Sequence, residues 1–167
     1  MNESARALAD RLVRNFNDAK LEPGVREPLY ETLSAPLASG TAATKLGASI
    51  DIVAPGKRAC PYHLHHAQEE MFIILEGTGT LRVAGEMLAL RAGDVVFIPP
   101  GRDFPHQIIN TSNEALKYLS VSTRETPEIC EYPDSGKYLA KAAGAKGPVF
   151  DAVQRAESSV DYWDGEP

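Results

Sequence analysis

Pro61-Tyr62-His63-Leu64-His65-His66-Ala67-Gln68-Glu69-Glu70-Met71-Phe72-Ile73-Ile74-Leu75-Glu76-Gly77 holds three of the chain's four histidines and contains its longest unbroken apolar run, Met71 to Leu75. That run is β-branched and aromatic in character and is stopped by Gly77, which predicts a core strand. His63 and His65 stand two positions apart, so on an extended strand both imidazoles project to one face. Glu70, five residues further on, can return to that face after a turn. Two ring nitrogens and a carboxylate then converge. This donor set suits one borderline divalent ion, Fe, Mn, Zn, Ni or Co, better than Ca or Mg, and strands offer it a rigid platform.

A second stretch, Gly93 to Asn110, predicts strand, turn and strand. Val95 to Ile98 is β-branched or aromatic, Pro99-Pro100-Gly101 cannot continue a ladder, and His106 to Asn110 extends again. The fourth histidine, His106, opens the returning strand.

Together the two stretches resemble the two motifs of the cupins. Gly56, His63, His65, Glu70 and Gly77 match the first motif; Gly93, Pro99, Gly101, His106 and Asn110 match the second. The gap before the first histidine is one residue longer than is usual in the family, and four residues rather than two separate Gly101 from His106. The resemblance covers about Lys45 to Arg124. It implies a cupin-type antiparallel β-barrel, or jelly roll, in which His63, His65, Glu70 and His106 are the four metal ligands. It also implies a homodimer, since sheet edges commonly pair between subunits in the family. Its activities are many, and fold does not choose among them. The specific expectation is a metal-dependent enzyme on a small polar carbonyl substrate, in particular a sugar-phosphate isomerase. An Fe(II) dioxygenase and a non-catalytic sugar- or metabolite-binding cupin are the alternatives. The residues single out no catalytic base.

Outward from the motifs, short segments separated by turn residues argue an all-β barrel rather than a parallel α/β sheet. Lys45 to Ala54 leads into the first motif. Gly77-Thr78-Gly79 and Ala84-Gly85 mark hairpins that return through Thr80 to Val83 and Glu86 to Leu90, and Leu116 to Ser122 forms a last strand. Before the barrel, residues 3 to about 17 show helical spacing of Ala5, Leu8, Ala9, Leu12, Val13 and Phe16, a face to pack on the barrel or on a second subunit. Pro23-Gly24 and Pro28 break regular structure, residues 29 to 33 suggest a short edge strand, and 34 to 44 a loop. Beyond Arg124 the pattern dissolves into an irregular extension, too aromatic for a disordered tail, which is expected to wrap the barrel. Val160 to Glu166 is expected either to cover a barrel mouth or to anchor on the outer sheet. The chain thus reads as a single domain, 1–167, made of an N-terminal extension (1–44), a barrel (45–124) and a C-terminal extension (125–167).

Composition narrows the partners. The formal net charge is −6 and the basic residues are scattered, which argues against nucleic acid and anionic membrane and leaves a small-molecule ligand or substrate. No apolar run approaches a membrane span. Glu3, Arg6, Asp10, Arg11 and Arg14 break any signal-peptide core, so a cytoplasmic protein is expected. Cys60 and Cys130 read as two thiols, and strand phase puts Cys60 on the face opposite His63. His66 and Glu69 are expected to face outward or to support the ligands, with Glu69 the alternative to Glu70. Gln107 and Asn110 are expected to hydrogen-bond between strands. Arg58, Arg82, Arg91 and Arg102 are candidate anion partners, with Arg82 foremost.

Overall fold

The computed structural model describes residues 2–144 and 147–167. In chain order the elements are α1 (Glu3–Leu12), β1 (Glu22–Arg26), β2 (Tyr30–Pro36), β3 (Leu46–Val53), β4 (Leu64–His65), β5 (Glu70–Glu76), β6 (Thr78–Val83), β7 (Glu86–Arg91), β8 (Val95–Ile98), β9 (His106–Ile109), β10 (Leu116–Thr123), β11 (Glu128–Tyr132), β12 (Lys137–Gly144) and β13 (Gly147–Arg155). One sheet runs β1-β2-β3-β10-β5-β8. Two smaller sheets, β7-β6-β9 and β13-β12-β11-β4, complete the strand set. They join where His63 and His106 exchange backbone hydrogen bonds, His106 N to His63 O at 2.7 Å and His63 N to His106 O at 3.1 Å. The strand ladders are antiparallel.

The core lies among these sheets: Val53, Phe72, Ile74, Leu81, Leu90, Ile98, Ile108, Leu116 and Tyr118 form one buried cluster. The strands from Lys45 to Thr123 therefore match the sequence reading closely, because each carries its own period-2 signal and is bounded by turn residues. Gly77 shows why the first hairpin needs glycine. Its φ is +81°, and a Cβ there would stand 2.4 Å from Ala115 O, so both backbone conformation and space exclude a side chain. Asn110 and Gln107 bridge strands as expected. Fully buried Asn110 donates through Nδ2 to Val53 O at 2.8 Å and Glu114 O at 2.7 Å, while its Oδ1 accepts from Ser112 N and Oγ.

Four expectations at the ends require correction. The helix stops at Leu12 rather than near 17, and none of its residues is buried, so its apolar stripe finds no cover within the described residues. Glu22–Arg26, read as broken by Pro23-Gly24, is an edge strand, the one place where a residue without an N–H is tolerated in a ladder. The C-terminal extension is not irregular: β11, β12 and β13 are strands, and Pro133 to Gly136 is the turn between the first two, with Ser135 N and Gly136 N both donating to Tyr132 O. It does attach to the barrel, through pairing of β11 with β4. Tyr162 and Trp163 neither cap a mouth nor anchor a sheet; they are 83% and 70% exposed and pack edge-to-face on each other.

Replacing Asn110 by Ala would remove the Nδ2 donor from Val53 O in the interior and leave Glu114 O with Ser112 Oγ. Such a loss costs about 1–3 kcal/mol, so a urea melt of the variant should show a lower midpoint with an unchanged slope; an unaltered midpoint would remove Asn110 from the account of barrel stability.

Candidate metal centre

His63 precedes β4, His65 lies on it, Glu70 opens β5 and His106 opens β9. The three strand beginnings meet because β9 exchanges hydrogen bonds with the segment entering β4, while Gly101 N, from the turn after β8, donates to His65 O at 2.7 Å. Around Glu70 Oε2 stand His106 Nε2 at 2.8 Å, His65 Nε2 at 3.5 Å and His63 Nε2 at 3.9 Å. Their side chains are between 1% and 13% exposed, so the cluster is largely withdrawn from water.

The outer nitrogen of each ring is already committed. His63 Nδ1 meets Pro61 O at 2.9 Å, His106 Nδ1 meets Phe104 O at 3.1 Å and His65 Nδ1 meets Glu128 Oε1 at 3.3 Å. All three partners are acceptors, so each Nδ1 carries the proton and each neutral ring turns an Nε2 lone pair inward. With the rings neutral, three lone pairs and a carboxylate face one another with no donor among them, an arrangement that calls for a cation, or for a proton such as the 2.8 Å contact of His106 Nε2 with Glu70 Oε2 would hold. His65 Nε2 is buried without any hydrogen-bond partner, a cost of about 1–3 kcal/mol unless something fills the gap. The donor chemistry fits a divalent ion, and His63, Glu70 and His106 are spaced so that they could hold one. His65 adjoins this group through Glu70. His63, His65 and Cys130 form an overlapping second group; burial pushes the Cys130 thiol up to about 11 and the Cys60 thiol up to about 12.

Glu128 is the residue that sequence reasoning missed. Its carboxylate is fully buried and accepts from three successive backbone amides, His66 N at 3.0 Å and Ala67 N at 3.1 Å and Gln68 N at 2.9 Å, in addition to the imidazole of His65. It therefore holds both a histidine ring and the turn that carries the chain back to Glu70. Nothing in the sequence links position 128 to 65–68; pairing of β11 with β4 creates the contact. Asp51 was also passed over, although a carboxylate interrupting Ile50-Asp51-Ile52-Val53 was a visible signal. It lines the same cavity, of about 360 Å³, with Cys60, Tyr118 and Lys141. Burial raises its pKa against the hydrogen bonds of Ser34 and Ser49.

Several expected roles can now be placed. His66 faces outward and pairs with Glu131 at 2.7 Å, and exposed Glu69 does not replace Glu70. Cys60 does not lie opposite His63: it lines the same cavity, with Sγ 3.7 Å from His63 Nδ1, because Pro61 interrupts the strand on which the phase argument depended. Arg82 is not available to a ligand. It forms a two-pronged pair with Asp134 and lies over the Tyr62 ring, 3.8 Å from its centroid. Arg102 is similarly engaged with Glu131.

Burial lowers the His63 pKa to about 4, with neighbouring His106 acting in the same sense. Burial would raise Glu70, but His106 and His65, when protonated, outweigh it and hold the carboxylate well below its usual range. His65 shifts upward, since Glu70 and Glu128 overcome its own desolvation. If Glu128 orients His65, Glu128→Gln should weaken metal affinity about 10–100-fold, the range for loss of a carboxylate behind a ligating imidazole. Chelator competition would measure it, and wild-type affinity in the variant would reduce Glu128 to a turn-holding role.

Comparison with known proteins agrees with this architecture. Residues 49–122 match the cupin domain. A 59-residue stretch, 35% of this chain, is 37% identical to an oxalate-binding protein of Thermotoga maritima. The matching stretches span 57% and 47% of the curated relatives found. Among solved structures, a protein of Acidithiobacillus ferrooxidans assigned as a sugar phosphate isomerase superposes with a TM-score of 0.75 at 25% identity, over 87% of this chain and 90% of that one. A sugar phosphate isomerase of the cupin superfamily from Silicibacter pomeroyi gives 0.73 at 22% identity, over 90% and 96%, and shows the fold alone. Residues 49–122 thus carry a cupin domain, and the antiparallel barrel built by the two motifs gives the chain the cupin fold.

Proposed function

We propose that the chain is a metal-dependent enzyme acting on a small polar carbonyl compound, with aldose–ketose isomerisation of a sugar phosphate as the specific reaction. The observation that carries this reading is the convergence of three inward Nε2 atoms on Glu70 beside the untethered side of a cavity that also holds Asp51. His63, His65, Glu70 and His106 would hold one divalent transition ion. When bound, such an ion supplies a Lewis acid that polarises a carbonyl or hydroxyl oxygen. The protein's own contribution is proton handling and exclusion of water. Isomerisation removes a proton from the carbon beside a carbonyl and returns one to the neighbouring carbon, which needs a base whose pKa is displaced toward neutrality. Asp51 fits: burial raises it, and Ser49 Oγ donates to its Oδ2 at 2.6 Å and fixes its orientation. Phe72, Ile108 and Tyr118 close the apolar wall. The names given to the structural relatives favour this substrate class.

A second reading, a binding protein for a small chelating acid, is favoured by the oxalate-binding relative. The same ligands would serve it, without turnover. In either case the whole chain acts as one domain, in a reducing cytoplasm that suits its free Cys60 and Cys130.

Elemental analysis of protein purified without chelators should give about one transition ion per chain, reduced in His106→Ala. Asp51→Asn should keep the metal and lose aldose–ketose turnover by about 10²-fold or more. Full metal with turnover unaffected by Asp51→Asn would displace Asp51 as the base, and persistent absence of metal after reconstitution would end the metalloenzyme reading.

The chain is also proposed to form a homodimer. Leu8 and Leu12 on the helix, Val13 just beyond it and Met87, Leu88, Val95 and Phe97 on the barrel are all 46–67% exposed, apolar surface that a second copy would cover. Light scattering should return twice the monomer mass; a monomer across micromolar concentrations would count against the dimer.

A further inference from the structure

The cavity at the metal centre is not closed on the side of the C-terminal strands. A larger cavity, of about 820 Å³, adjoins it, and the two share Ser49, Gln68, Ser120 and Lys141. Lys141 is the only charged residue of that junction. It lies on β12, opposite Glu128 of β11 and Asp151 of β13 in register. Yet among the described residues its ammonium makes no ion pair, since the Glu128 carboxylate is committed to the amides of residues 66–68 and to His65. Arg124 lines the outer cavity without an ion pair of its own, beside Gly47, where a Cβ would come within 3.1 Å of Arg124 Nε. The acids of the outer cavity, Glu125 and Asp151, are both exposed, so the half-buried position nearest the centre belongs to a cation. A half-buried lysine without a carboxylate partner gains most from an anionic oxygen.

We infer that Lys141 binds an anionic group, phosphate or carboxylate, on a ligand whose other end occupies the metal centre, with the outer cavity taking the remainder of the molecule. The inference rests on the metal-centre reading above and adds the charge of the ligand and the residue that selects it. Lys141 lies outside residues 49–122, the stretch shared with the cupin domain, so the selectivity is a property of this chain's C-terminal strands.

The test is calorimetric binding to protein carrying the metal with which it purifies, using dihydroxyacetone and dihydroxyacetone phosphate as a matched pair and oxalate as the carboxylate probe. The phosphorylated probe should bind wild type about tenfold or more tightly than the neutral one, as a charge-assisted contact would give. In Lys141→Met, which keeps the apolar stem, that preference should vanish while metal content and dihydroxyacetone binding stay unchanged, and Lys141→Arg should retain it. Loss confined to oxalate would identify the anion as a carboxylate, and loss confined to the phosphorylated probe as a phosphate; either supports the inference. Equal weakening of the neutral probe, or no change for either anion, would overturn it and leave the metal centre standing. Failure of every probe to bind the metal-loaded wild type would overturn both.

Discussion

The buried carboxylate of Glu128 is the constraint on which the centre depends. A charge fully removed from water survives only with a complete set of donors, and the turn between β4 and β5 presents three successive amides to it. For Ala67 N and Gln68 N, amide and carboxylate each solve the other's problem, while His66 N also donates to Ile129 O at 2.9 Å. The consequence is geometric: the turn closes tightly enough for Glu70 to re-enter the barrel on the face already occupied by His63 and His65, and His65 is held in the tautomer that directs Nε2 inward. The C-terminal strands, which supply Glu128, are thus part of the centre rather than a covering over it.

Around that anchor the interior divides in two. One part is an ordinary apolar core, in which Ile74, Leu116 and Val53 are almost completely buried. The other is polar, and most of its groups are matched: Asn110 with two carbonyls and a serine, Gln107 Nε2 with Cys60 O at 2.7 Å, Asp51 with Ser49. Among the described residues two buried side-chain atoms are left without a partner, Gln107 Oε1 and, at the centre, His65 Nε2. That imidazole nitrogen, set beside Glu70, points the centre toward imidazole and carboxylate ligation.

The cationic junction extends the same logic outward. A deep metal-type centre recognises oxygen atoms of almost any small chelating molecule, so discrimination has to come from what lines the way in. Lys141 and Arg124 come from β12 and from the end of the barrel, two regions without a shared motif. Arg82, the arginine that composition made most conspicuous, is neutralised by Asp134, a reminder that a charge's availability depends on its neighbours.

Much was legible before folding. Period-2 alternation between turn residues marked the barrel strands, and the spacing of His63, His65 and Glu70 with His106 selected the four side chains that meet, because both signals are local and repeat along the backbone. The C-terminal strands were not legible. Pro133 to Gly136 looked like a break, and only pairing with β4 gives that segment its strand character and brings Glu128 to His65. Cys60 was assigned the wrong face because Pro61 ends the strand geometry on which phase depends. Sequence by itself thus determined the fold class and the four side chains that converge, both encoded in short-range pattern. Tertiary structure alone decided which carboxylate supports the ligands, which cations remain unpaired and which acid lines the cavity, because those facts depend on contacts between residues tens of positions apart.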